Sequence, residues 1–370
     1  MIVGPGFLFF CLNKLDNYVN VEDGQIRNMI LNGRWEWHMA HTEAYEGLFH
    51  GEQAVWLKAG RYTAAILPEI GGNLIAFRDT EANYTFLREP GADEMDSFKA
   101  NPGIHGIPVL FPPNRYEDGE FPWNGKVYQF PVNEAATGNH LHGFLHTTPW
   151  TVEQFGVNGE EGFVSVVLHV NEAHAIYQYL PHSFTFKLTY RLSATDGLTQ
   201  EVFIRNTGKD IMPCLLAFHT AVNAPFAPES VARDYRVKLT LGERWELNDR
   251  MLPTGAYQPL TDDEKLMQGE GVYPFFAAMD NHYTTLPQNG RSRMELTDTR
   301  LNVKLVYDVG TSYKQWMIWN NGGTEGFFCP EPQINLVNAP KAGLPAEQVG
   351  LFSLAPGEIW QELSRLYVIG

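Results

Sequence analysis

Hydrophobic residues recur at every second position along most of the chain. Phe184, Phe186, Leu188, Tyr190 and Leu192 alternate with Thr185, Lys187, Thr189 and Arg191. A strand with one face in a core and one face in water gives this period of two. Asp196-Gly197 marks a turn, and residues 198–206 are predicted to be the returning strand. Thr207-Gly208 ends it, and residues 211–218 follow as a more fully apolar strand. Residues 294–297, 301–307 and 313–319 predict another antiparallel set, and Pro356-Gly357 precedes a last strand over 359–368. Amphipathic helical stretches are scarce and short. Regular strand patterning begins near Ala54, and residues 1–40 read as an N-terminal extension of poor order. The fold class predicted is all-β: one large antiparallel β-sandwich domain over 41–370.

Composition agrees with that class. Aromatic residues make up 13% of the 370 residues, which suits strands, and 34 Gly with 23 Pro supply turns. Charge narrows the partners. Lys and Arg number 27 against 43 Asp and Glu, a formal charge of −16, and no basic run occurs. Nucleic acid and anionic membranes are therefore poor partners, and a strongly anionic ligand would need a local basic pocket. Cys11, Cys214 and Cys329 are odd in number and far apart, as expected of free thiols in the reducing cytoplasm. The apolar run at 7–12 is too short to span a bilayer and lacks the flanks of a signal peptide.

No phosphate-binding loop and no dinucleotide fingerprint is present. Histidines carry more information. His140, His142 and His146 fall within seven residues, and strand geometry would put all three on one face. Such a set serves as a polar strand edge, a metal site or a hydrogen-bonding pocket for a polyol. His219 ends the apolar strand at 211–218, where a side chain can point into a cleft. Glu331 stands between Pro330 and Pro332 after two aromatics, held near apolar surface that would raise its pKa and make it a better base. Arg115, after Asn114 and a proline turn, can fork toward a ligand oxygen. Asp280-Asn281-His282-Tyr283 reads as a turn.

Taken in order, these segments resemble the aldose 1-epimerase (galactose mutarotase) family over about 54–368. ILPEIGGNL at 66–74 resembles the family's first hairpin, and GIPVLFPPNR at 106–115 with DGEF at 118–121 its N-R-x-x-x-G-x-F segment. NHLHG at 139–143 resembles N-x-L-H-G, and the strand running from Met212 to His219 the one that ends in the catalytic histidine. LPTG at 252–255 and EPQ at 331–333 with NAP at 338–340 complete the set. Three departures stand out: Phe144 occupies a glycine position, Ala221 and Val222 follow His219 where the family often has an aromatic, and the family's D-H-x-F is written here as Asp280 to Tyr283.

The resemblance implies a galactose mutarotase-like supersandwich that interconverts the anomers of a free aldose without metal or cofactor. It implies Glu331 as base and His219, protonated, as acid. Arg115, His142, Asp280, Asn114 and His140 would bind the sugar, and an aromatic at Trp319 or Phe328 would stack on it. The expected form is a monomer or weak dimer. Rival readings are a sugar-phosphate mutarotase, disfavoured because Arg115 is the only obvious cation in these motifs, a non-catalytic carbohydrate-binding sandwich, and a metal enzyme built on His140 and His142.

Overall fold

The strand Phe184–Ser193 buries every residue the alternation assigns to the core: Phe184, Phe186, Leu188, Tyr190 and Leu192 are wholly inaccessible to solvent. It lies inside an eight-stranded antiparallel sheet in a computed structural model that describes residues 17–22, 25–30 and 41–370. Gly197–Asn206 returns beside it, followed across the sheet by Ile359–Ile369, Val303–Asp308 and Arg293–Asp298. A second eight-stranded sheet runs in the order Pro253–Gln258, Leu241–Leu247, Asp280–Thr285, Gln315–Trp319, Gly326–Gln333, Ala217–Phe218 and Val109–Leu110. Its eighth strand, Val222–Ala224, pairs with the near end of Gly326–Gln333. A five-stranded meander from Thr42–Phe49 to Tyr84–Thr85 completes the body.

One continuous core draws on all three sheets, including Ile66 and Phe77, Phe186 and Tyr190, and Phe218, Trp316 and Ile318. Burial of large side chains of this kind stabilises the fold by about 1.5–3 kcal/mol each. Residues Thr42–Gly370 form one compact unit. Most of the extension at 1–40, with Cys11 and the apolar run at 7–12, lies outside the described residues. Within it, Asn17–Glu22 and Gln25–Ile30 pair with each other as antiparallel strands.

Several local expectations are corrected. Within the unit Thr42–Gly370 regular strand begins at Thr42 itself, ahead of Ala54. The apolar stretch at 211–218 is two short pieces, Met212–Pro213 and Ala217–Phe218, which join different sheets. Asp280-Asn281-His282-Tyr283 is no turn but the start of strand Asp280–Thr285, held by its ladder to Gln315–Trp319. Pairing with a distant strand overrides the turn preference of Asp and Asn.

Candidate active site

Two prolines open the site. Gly326–Gln333 has a full ladder with Gln315–Trp319 on one side. On its other side it pairs at Phe328 with Val222 and at Gln333 with Ala217, and Ile334 N–H donates to Leu216 O at 2.8 Å. Pro330 and Pro332 share the parity of Ile334 but have no N–H to give, so the ladder to 218–221 stays unzipped. His219 sits in that gap, its own N–H bonded to Pro108 O at 3.0 Å. Its Nε2 lies 3.2 Å from Glu331 Oε1.

Both partners are withdrawn from water, with relative exposures of 5% for His219 and 1% for Glu331. Burial, and then the nearby Asp280 carboxylate, push the Glu331 pKa well above the usual carboxylate range, against a hydrogen bond from Gln333 and the charge of Arg115. Burial pushes His219 down to about 4. Both shifts favour a neutral pair holding a single proton, with His219 uncharged. A standing imidazolium would have to be desolvated to reside there.

Arg115 and His142 are brought to the same place by a pair of left-handed residues. Asn114 has φ 59°, and its side chain accepts from Arg115 N–H at 3.0 Å, so this buried residue aims the arginine. Arg115 Nε bonds Glu134 at 3.0 Å, and its Nη2 bonds Asp280 Oδ2 at 3.2 Å. Asp280 pairs across the sheet with Trp319. His142 has φ 69°, and its ring meets His219 edge-on at 5.2 Å and His146 at 6.3 Å. Burial, with the neighbouring His219 and His146, holds His142 well below the usual imidazole range.

The three clustered histidines do not share a face. Strand Asn139–Leu141 stops before His142, and Gly143, at φ 62°, carries the chain against Phe111. His140 is turned away: its ring packs between Phe130 and Phe144, and its Nδ1 meets Pro131 O at 2.7 Å. His140 accordingly does not line the pair, contrary to its expected sugar-binding place. Phe328 is corrected for a similar reason. Period-two alternation sends it into the main core, while its neighbours Phe327 and Cys329 face the site side with Trp319. Trp319 lies 6.1 Å from the His219 ring and is partly exposed. Among the described residues, no three His, Cys, Asp or Glu side chains converge to hold a metal ion.

Sequence reasoning missed Glu134, which fixes Arg115, and Gln333, whose amide reaches Glu331 Oε2 at 3.3 Å. Glu134 stands in no distinctive local pattern, whereas Gln333 lies inside the EPQ motif without being singled out. Gln333 follows Glu331 by two residues, and on a strand that spacing was the available signal.

The family model of aldose 1-epimerases matches residues 53–366. A galactose mutarotase-like protein from Clostridium acetobutylicum shares the fold at a TM-score of 0.85 with 33% identity, over 88% of this chain and 98% of its own. Galactose 1-epimerase from Lactobacillus acidophilus superposes at a TM-score of 0.63 over 90% of this chain and 99% of its own; its 13% identity speaks to fold alone. In sequence, the uncharacterized protein YihR of Escherichia coli K12 is 28% identical over 265 residues, 69% of this chain and 76% of that protein. With the family's pattern running through nearly all of its β-sandwich, this chain belongs to the aldose 1-epimerase family.

Proposed function

We propose that this protein interconverts the α and β anomers of an aldose by general acid and base catalysis. The observation that carries the reading is the buried His219–Glu331 contact at 3.2 Å, beside Trp319 and the Arg115–Asp280 pair. Ring opening needs one group to take the proton from the C1 hydroxyl and another to give a proton to the ring oxygen. A pair that shares one proton can do both. Moving it from Glu331 to His219 leaves a carboxylate and an imidazolium. Glu331 then takes the O1 proton as the bond from C1 to the ring oxygen breaks, and His219 protonates that oxygen. The open-chain aldehyde turns about C1–C2. Closure on the other face returns the O5 proton to His219 and the O1 proton from Glu331, leaving the enzyme unchanged.

Arg115 and Asp280 would hold hydroxyls, His142 would fix the orientation of His219, and Trp319 would offer an apolar edge to the pyranose. A sugar-binding module without catalysis would not require an acid and a base in mutual contact, which favours the enzyme. Polarimetry tests the reading. Freshly dissolved α-D-glucose and α-D-galactose are followed with and without protein. Faster approach to equilibrium on either sugar supports a mutarotase. Stoichiometric sugar binding with no acceleration would support the binding module instead.

A further inference from the structure

The residues of the site come from different parts of the fold, and Arg250 joins those parts from outside. Asp280 and Glu331 stand on the second eight-stranded sheet, whereas Arg115 stands on Arg115–Glu117, which forms a two-stranded unit with Asn139–Leu141. Glu134, which holds the Arg115 guanidinium, lies on the turn that leads into Asn139–Leu141. Its carbonyl accepts from Gly138 N–H at 2.9 Å, and Asn139 bridges back to it. Residues 134–138 read Glu-Ala-Ala-Thr-Gly, and both alanines are exposed. Neither alanine anchors the turn in a core, so polar contacts must set its position.

Arg250 supplies those contacts. It sits in the tight turn between Leu241–Leu247 and Pro253–Gln258, where Asn248 Oδ1 accepts from its N–H at 2.9 Å and from Leu252 N–H at 3.2 Å. Its Nε donates to Thr137 O at 2.8 Å and its Nη2 to Gly138 O at 3.1 Å. Asn139 Nδ2 donates in return to Arg250 O at 2.9 Å. Nη2 also meets Asp118 Oδ1 at 2.7 Å and Nη1 meets Glu117 Oε1 at 3.3 Å, so every guanidinium nitrogen donates. A point charge such as lysine cannot reproduce that planar fork.

Thr137 carries the constraint inward. Arg250 takes its carbonyl, and its hydroxyl donates to Glu134 Oε2. Both Glu134 oxygens face Arg115 Nε, at 3.1 and 3.0 Å, and Arg115 Nη2 reaches Asp280 at 3.2 Å. The path from Arg250 through Thr137, Glu134 and Arg115 to Asp280 therefore leaves the second sheet and returns to it. Its two ends lie close in that sheet, because Leu241–Leu247 and Asp280–Thr285 are neighbouring strands. A closed hydrogen-bonded path of this kind fixes its middle member against two references at once. We infer that Arg250 is a positioning residue of the active site: it holds the Glu134 turn so that Arg115 presents one orientation to bound sugar. It acts through Arg115 and not on the reacting atoms. This inference rests on the mutarotase reading above.

Arg250→Met keeps the stem and removes every side-chain donor. Initial rates of anomer exchange should show KM raised about 3- to 10-fold with kcat changed by less than about twofold, the size of coupling within one hydrogen-bonded network. Arg250→Lys should fall between wild type and Arg250→Met, and it makes the same comparisons if Arg250→Met does not fold. The double variant separates positioning from bulk structure. Glu134→Ala already cuts the link to Arg115, so adding Arg250→Met should leave KM where Glu134→Ala put it. A second readout needs no turnover. Hydrogen exchange at the Arg115 Nε–H, followed by NMR and identified by its loss in Arg115→Lys, should be faster in Arg250→Met than in wild type. An unchanged KM in the folded variant, additive rises in the double variant, or unchanged exchange at the Arg115 Nε–H each overturn the inference. Wild type that accelerates no aldose overturns the mutarotase reading instead, and the Nε–H measurement then decides by itself whether Arg250 holds Arg115.

Discussion

Glu331 Oε1 and His219 Nε2 meet at 3.2 Å in a gap that Pro330 and Pro332 keep open in the sheet. The same prolines that deny the ladder its donors leave the carboxyl group facing an imidazole instead of a backbone strand. Glu331→Gln should lower the rate of anomer exchange by about 10²–10⁴-fold, the usual contribution of a positioned acid or base. His219→Gln should do the same. Both proteins should keep their thermal unfolding cooperative, so that the loss belongs to the chemistry. Full activity in either folded variant would remove that residue from the mechanism.

The pH dependence follows from the proton count of the pair. Below about 4, where His219 gains its proton while Glu331 keeps its own, no base is left. Above the raised pKa of Glu331 the pair loses its one proton, and no acid is left. The rate profile should be bell-shaped, with both limbs belonging to the pair as a unit. Glu331→Gln should abolish the upper limb in whatever residual activity it retains. A profile flat on its alkaline side would contradict the raised carboxyl.

Stability should fall in mild acid for a separate reason. His105, His140, His146, His182 and His219 are held near 4, and His282 near 3, by burial. Each is neutral in the folded protein, whereas the unfolded chain takes up protons below about 6.5. Their contribution is present above that value and is lost as pH falls toward 4. Glu331 works in the opposite sense, because its folded pKa is raised: its contribution is present in acid and lost as pH rises. His142, held well below the usual imidazole range, acts in the same sense as these six, and seven groups against one give the net sign. Urea midpoints should be lower at pH 5 than at pH 7, and equal midpoints would contradict this balance.

Gly143 is a sharp structural test of how His142 is placed. A Cβ built there would lie 2.4 Å from the Phe111 carbonyl, and its φ is 62°. Gly143→Ala should cost about 1–3 kcal/mol from backbone strain and the forced shift. Urea denaturation measures that cost. Displacement of His142 should also slow exchange in the fraction that folds.

Arg115→Lys keeps the charge but not the fork that joins Glu134 to Asp280. It should raise KM by about tenfold with a smaller effect on kcat, because the lost contacts are to bound sugar in both ground and transition states. Initial rates over a range of sugar concentrations separate the two. A drop confined to kcat would assign Arg115 to the chemical step.

Strands with one buried face were legible in the sequence, as Phe184–Ser193 shows, because core and solvent impose opposite residue types on alternate positions. His219, Glu331, Arg115, His142 and Asp280 were legible as candidates through the family's motifs, and the fold brings them together. What lies across the sheet was not legible. Asp280 looks like a turn residue until Trp319 is placed opposite it. His140 and His142 look equivalent until a left-handed residue at 142 separates them. Long-range register decides both, and register is written in several distant segments at once.

The most direct test of the account is exchange spectroscopy by NMR on an aldose already at anomeric equilibrium. Cross-peaks between the α and β C1 protons report interconversion without net reaction. Wild-type protein should produce them on a timescale at which the free sugar shows none, and Glu331→Gln should abolish them. Equal cross-peaks with wild type and folded Glu331→Gln, or none with wild type on any aldose, neutral or acidic, would contradict catalysis by the His219–Glu331 pair.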